Sequence, residues 1–122
     1  MTSDYEIAFD DNFVRVHLRG AENIEIASRL WPDVLAICKQ NNCFKVLGLA
    51  ETTSPLGILD SMEHADLFRR LGIDSKYRIA WVELNPLVHE AASFTEVVLS
   101  NRGLPGKLFN NPEDAKHWLS AQ

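Results

Sequence analysis

The side chains that could do chemistry are few and dispersed. His17, His64, His89 and His117 fall in four separate stretches, whereas metal ligands usually include at least one close pair. They are therefore expected as surface or half-buried residues, with no metal bound. Cys38 and Cys43 enclose four residues, a spacing that fits neither a Cys-x-x-Cys redox pair nor a zinc knuckle. Two buried, reduced thiols are expected. Glu63-His64 and His89-Glu90 resemble acid–base pairs on paper, but adjacent helical residues point about 100° apart and cannot serve one atom together. There is no Gly-x-Gly-x-x-Gly, Walker loop, Gly-x-Ser-x-Gly elbow or His-Glu-x-x-His. An enzyme is not expected, nor is a cofactor.

One segment stands above this background. Thr52-Thr53-Ser54 follows an apolar run and precedes Pro55-Leu56-Gly57 and a helical pattern. It therefore falls at the carboxyl end of a buried strand, where open parallel sheets place their ligand crevices. A helix start there would aim free backbone N–H groups and a partial positive charge at an anion, including a phosphate carried on one of these hydroxyls. Ser before Pro is equally a helix cap before a first-turn proline. Both readings of Ser54 stand at this point.

Positioning that loop requires a sheet and helices, and the pattern supplies them. Residues 5–9 and 13–18 alternate apolar with polar around Asp10-Asp11-Asn12, the signature of a hairpin whose second strand faces the core with either Phe13 or Val14 parity. Asn23 can cap a helical turn through Leu30; Pro32 then kinks that helix or opens a second one reaching Asn41. Ala27, Leu30, Trp31, Val34, Leu35 and Cys38 keep helical spacing. Residues 44–50 and 77–84 read as strands covered on both faces. Between them a helix runs to Leu71 and stops at Gly72. Val88, Ala91, Ala92, Thr95, Val98 and Leu99 make a third helical stripe, with Gly103 as its stop. Lys107-Leu108-Phe109 is a short edge strand. Asn111-Pro112-Glu113-Asp114 starts a last helix with Ala115, Trp118 and Leu119 inward. Core packing is expected for Trp81 and Trp118, while the place of Trp31 is open. The order ββαβαβαβα implies an α/β fold: a mainly parallel five-stranded sheet with an antiparallel edge strand from the N-terminal hairpin.

At 122 residues the chain fits one domain, residues 1–122. Twelve Lys plus Arg against seventeen Asp plus Glu give a net charge of −5, and the cations are scattered. Nucleic acid, which needs clustered cations, is not an expected partner. No apolar run approaches the ~18 residues of a membrane span, and the acidic first residues are unlike a secretory signal. A cytoplasmic, non-membrane-spanning protein is expected.

The pattern resembles the SpoIIAA-like family of small bacterial proteins, related to the STAS domains of anti-sigma-factor antagonists and grouped by fold with the Sec14 (CRAL-TRIO) lipid-transfer domains. The element order carries the resemblance, with the ending from Gly106 to Leu119 and the strand Tyr77-Arg78-Ile79-Ala80-Trp81-Val82. In the antagonists an Asp-Ser-Ser-Gly-Leu-Gly type loop is phosphorylated on its second Ser. Set beside it, Thr52-Thr53-Ser54-Pro55-Leu56-Gly57 places Ser54 at the acceptor position and keeps Leu56 and Gly57; Thr52 and Pro55 replace the Asp and the first Gly. The resemblance implies the SpoIIAA/STAS-like fold and two functions. The first is a regulatory module that docks a partner protein through Thr52, Thr53, Ser54, Leu56 and Gly57. The second is a Sec14-like binder of a small apolar molecule or lipid. Helices rich in Leu, Phe and Trp also offer surfaces for a homodimer.

Overall fold

The computed structural model describes residues 4–10, 12–54 and 57–121. Pro55 and Leu56 of the candidate loop, and Asp11 of the hairpin turn, lie outside the described residues. Strands β1 (Asp4–Asp10), β2 (Phe13–Ala21), β3 (Lys45–Ser54), β4 (Arg78–Glu83) and β5 (Lys107–Phe109) alternate with helices α1 (Ile24–Asn41), α2 (Ile58–Leu71), α3 (His89–Asn101) and α4 (Pro112–Ser120). A 3₁₀ turn, Pro86–Val88, leads into α3. β1 pairs antiparallel with β2, and every later pair is parallel, in the order β1-β2-β3-β4-β5. This is the expected α/β arrangement.

Strand order equals chain order, so each crossover steps the same way across the sheet. Near-universal right-handed crossovers then put all three connecting helices on one face. The packing agrees: Leu30 and Trp31 of α1, Ala65 and Phe68 of α2 and Leu99 of α3 share one apolar core with Val14, Val16, Val46 and Ile79. Val14, rather than Phe13, thus has the parity of the main core. Phe13 joins Leu47, Ala80 and Val82 on the opposite face. α4 is no crossover and covers that opposite face with Ala115 and Leu119. It reaches β3, β4 and β5, so the far side of the hairpin carries polar contacts instead: Arg19 pairs with Asp4 and Glu6 and Arg15 with Asp10, while His17 hydrogen-bonds Glu51.

Local signals explain the helix ends. Asn23 Oδ1 accepts from Ile26 N at 3.0 Å and starts α1. Pro32 sits inside that single helix, neither ending it nor opening a second. Gly72 closes α2 at φ 77°, a left-handed turn that costs glycine nothing. Asn111 Oδ1 accepts from Asp114 N at 2.8 Å ahead of Pro112. α3 ends at Asn101 with Arg102 as its C-cap, one residue before Gly103. Full burial of Phe68, Leu30 and Leu18 contributes roughly 1.5–3 kcal/mol per side chain.

Two expectations need correction. β3 runs through Ser54, so Thr52 and Thr53 are strand residues, and Gly57 is the N-cap of α2 with no side-chain hydrogen bond. Ser54 is therefore not a helix cap. Trp118 packs half-buried against the far-face core, as expected, with the Arg78 guanidinium 3.9 Å over its ring and donating to its carbonyl at 2.6 Å. Cys43 is half-buried, unlike fully buried Cys38. Burial raises the Cys38 thiol to about 11, with Cys43 adding to the shift. No helix among the described residues is long and apolar enough to cross a membrane.

Candidate functional site

A slot opens over β4, between α2 and α3, running from Ile79 and the start of β5 to Glu83 at the carboxyl end of β4. Its cavity volume is about 60 Å³. Its Glu83 end matches the general rule for open parallel sheets, but the slot is built largely from residues outside the Thr52–Gly57 segment. Strand alternation sends Ile79, Trp81 and Glu83 of β4 to this face and Ala80 and Val82 to the other. Phe68 of α2 and Leu99 of α3 close the apolar walls, while Trp31 reaches in from α1. Trp81 is half-buried: it packs against the main core, as expected, and also borders the slot. Its indole lies against β3 where Gly48 has no side chain. A Cβ at Gly48 would stand 2.2 Å from Trp81 Cε3.

Two carboxyls mark the strand-end side of the slot. Glu83 is only 3% exposed. Its Oε1 accepts from Thr52 Oγ1 at 2.7 Å, and its Oε2 accepts from Asn85 N at 3.0 Å. Asn85 Nδ2 in turn donates to Thr52 O at 2.9 Å. A buried carboxylate needs such donors to offset lost hydration. Glu22, just past β2, is held through its backbone N–H to Ser54 O at 3.1 Å. Burial of its carboxyl, with repulsion from Glu83, raises it to about 7. Glu96 of α3 also lines the slot and accepts from Leu108 N at 2.7 Å.

His64 completes the polar set. Expected at the surface or half-buried, it is 6% exposed and packs edge-on against Phe68. Its Nε2 accepts from Trp31 Nε1 at 2.9 Å, which leaves the ring proton on Nδ1. Nδ1 is buried and has no hydrogen-bond partner. Desolvation lowers its pKa to about 4, so the ring is neutral near neutrality. Glu63 beside it is exposed, in keeping with the rejection of that pair. Among the described residues no group of three or more His, Cys, Asp or Glu could hold a metal ion.

The sequence candidates thus divide. Thr52 is 2% exposed and supports Glu83; Ser54 is exposed and anchors Glu22 through its carbonyl. Thr53 and Gly57 are exposed. Residues 52–54 therefore lie behind the crevice rather than lining it. Glu22, His64, Trp81 and Glu83 escaped the sequence reading. A signal was present in one of them: Glu83 closes an apolar strand, and an acid in a buried run is informative. We expect Thr52→Val to destabilise the protein by about 2 kcal/mol, because a buried carboxylate loses its shortest donor. Ser54→Ala should stay within roughly 0.5 kcal/mol, as for other exposed substitutions. Urea unfolding of the two variants checks the contrast.

Three large apolar side chains are exposed near the starts of α2 and α3. Ile58 and Leu59 in the first turn of α2 are 67% and 75% exposed, and Leu87 before α3 is 90% exposed.

No protein-family model matches the chain, and no curated protein does so either. Among solved structures it is similar to an uncharacterized protein of the DUF3478 family, with a SpoIIAA-like fold, from Shewanella loihica PV-4. That likeness has a TM-score of 0.57 at 18% identity and covers 96% of this chain and 93% of the other. The fold is SpoIIAA-like, as the element order and the closing segment implied.

Proposed function

We propose that this protein is a non-enzymatic binding module that takes a small molecule with apolar and polar parts, or one end of a longer one, into the slot beside Trp81. One observation carries the reading: an apolar-walled cavity whose polar boundary includes a buried imidazole N–H without an acceptor. Buried polar groups are almost always paired, and a site that leaves one open is suited to a ligand group. Binding is favoured over catalysis by how the groups are tied. Glu83 is held by Thr52 and Asn85, His64 Nε2 is occupied by Trp31, and the Thr95 hydroxyl that lines the slot is 2.7 Å from Ser61 Oγ. The cavity volume of about 60 Å³ is small. An acyl chain would not be enclosed; a headgroup or a small metabolite fits better.

A second reading is supported by a different observation. Ile58, Leu59 and Leu87 are apolar and exposed near the same end of the molecule, and contiguous exposed apolar surface marks interaction sites. On this reading the protein docks a partner, or a second copy of itself, beside the Thr52–Gly57 segment. Ser54, exposed at the end of β3, would then be the phosphate-accepting position that such a surface could use.

Native mass spectrometry separates the two. Protein purified from cells is expected to carry a non-covalent adduct that Ala92→Phe, which fills the slot wall, removes and Leu59→Glu leaves in place. Bare mass in the wild type, with self-association lost in Leu59→Glu, would reject the slot and favour docking.

A further inference from the structure

Building on the binding reading above, we propose that the slot is selective for a small organic ammonium compound that also carries a hydroxyl or carbonyl oxygen, an amino alcohol being the simplest of the class. The lining is acidic: Glu22 from the end of β2, Glu83 from β4 and Glu96 from α3. Among the described residues no Lys or Arg forms an ion pair with any of the three. Lys107 of β5 also borders the slot, but its ammonium lies 5.9 Å from the Phe109 ring centroid, on the strand face turned toward α4. Glu83 is buried and Glu22 and Glu96 half-buried, and a cleft lined by one sign of charge attracts the opposite charge from outside. A bare metal ion does not meet the need, since the described acids and His64 are not gathered closely enough to hold one. The charge must be carried on a molecule that extends across the slot.

The walls fit the same ligand. Trp31 packs 5.9 Å from Trp81 and 4.9 Å from Phe68, ring to ring. Aromatic faces attract an ammonium group and its flanking methylenes. The second polar feature sets the second requirement. His64, fully enclosed and neutral, offers an Nδ1–H with no acceptor. A simple alkylamine would leave that donor unsatisfied, whereas an oxygen on the ligand accepts from it. An anion is disfavoured by the three carboxyls.

Proton linkage gives the class a signature. Burial and the facing Glu83 hold Glu22 at about 7, so an ammonium ion must displace the Glu22 proton in acid and finds the carboxylate ready above neutrality. Glu83, Glu96, His64 and Lys107 are the other titratable or charged groups bordering the slot, from β4, α3, α2 and β5. His64, at about 4, stays neutral across that range.

The test titrates the full chain with four probes of one carbon skeleton: 1-amino-2-propanol, propylamine, 1-propanol and propionate. Phosphate buffer is used because common amine buffers belong to the proposed ligand class. Binding is read from the indole N–H resonances of Trp31 and Trp81. We expect 1-amino-2-propanol to bind tightest, and both amines to exceed propanol and propionate by about tenfold, a 1.4 kcal/mol preference. Amine affinity should rise about tenfold from pH 6 to pH 8, following ionisation of a single group near 7. Glu22→Gln should abolish that pH dependence, and His64→Phe should equalise 1-amino-2-propanol and propylamine. Propanol or propionate binding as well as the amines would overturn the ligand class and leave the slot a binding site. Silence from all four probes, with a native adduct still displaced by Ala92→Phe, would overturn the class alone; silence without an adduct would overturn the binding reading as well.

Discussion

Replacing Gly48 by alanine is expected to destabilise the fold by about 2–3 kcal/mol, the upper range for overpacking a well-filled interior, and to close the slot. The reason is geometric. The new Cβ would sit 2.2 Å from Trp81 Cε3 and 2.4 Å from Cζ3, and these atoms belong to a rigid ring hemmed in by Trp31. The indole must swing toward the slot or β3 and β4 must separate. Urea unfolding gives the magnitude. A double-mutant cycle with Trp81→Leu identifies the cause: the two changes should be far from additive, because the smaller side chain leaves room for the methyl group. Additive losses would show that Trp81 is not the obstacle.

Glu22→Gln should change the pH dependence of stability by a comparable amount. Between about 4.5 and 7 the folded protein keeps a proton on Glu22 that the unfolded chain has lost. Raising the pH through that window therefore costs stability, at about 1 kcal/mol per pH unit. His64 works in the opposite sense. Its folded pKa of about 4 lies below the ordinary histidine value of 6.5, so the unfolded chain holds the extra proton and stability rises with pH across that range. The two slopes offset each other from about 4.5 to 6.5 in the wild type. In Glu22→Gln the His64 slope is unmasked, and the variant gains on the wild type by about 2–3 kcal/mol between pH 4.5 and 7. Urea midpoints at pH 5 and pH 7 check this; parallel wild-type and variant curves would refute it.

The elements were legible because their punctuation is local. Asn23, Gly72 and Asn111-Pro112 mark helix ends by hydrogen bonds and backbone angles that involve near neighbours in the chain. Strand β5 came out with its limits unchanged, and the alternating hairpin paired as its pattern required. The candidate site was legible in location alone. Strand order places a crevice at the carboxyl ends, but which side chains enter it depends on parity in β4 and on contacts between distant segments. Trp31 meets His64 across 33 positions, and Thr52 meets Glu83 across 31. Neither pair leaves a trace in spacing. The helical stripe at Ala91, Ala92 and Thr95 looked like core for the same reason; these residues are half-buried because Ala92 and Thr95 border the slot.

The strand order has one further consequence, for the nascent chain. Each strand pairs with the one made just before it, so the sheet can grow at its newest edge while synthesis proceeds, with at most one helical crossover to close between partners. The face bearing Leu47, Ala80 and Val82 differs, because its cover is α4, which follows all five strands. Until residues 112–120 leave the ribosome, that apolar stripe has no partner within the chain. The stage most open to aggregation, or to capture by a chaperone, is thus a late one, when the sheet is complete on one side and bare on the other.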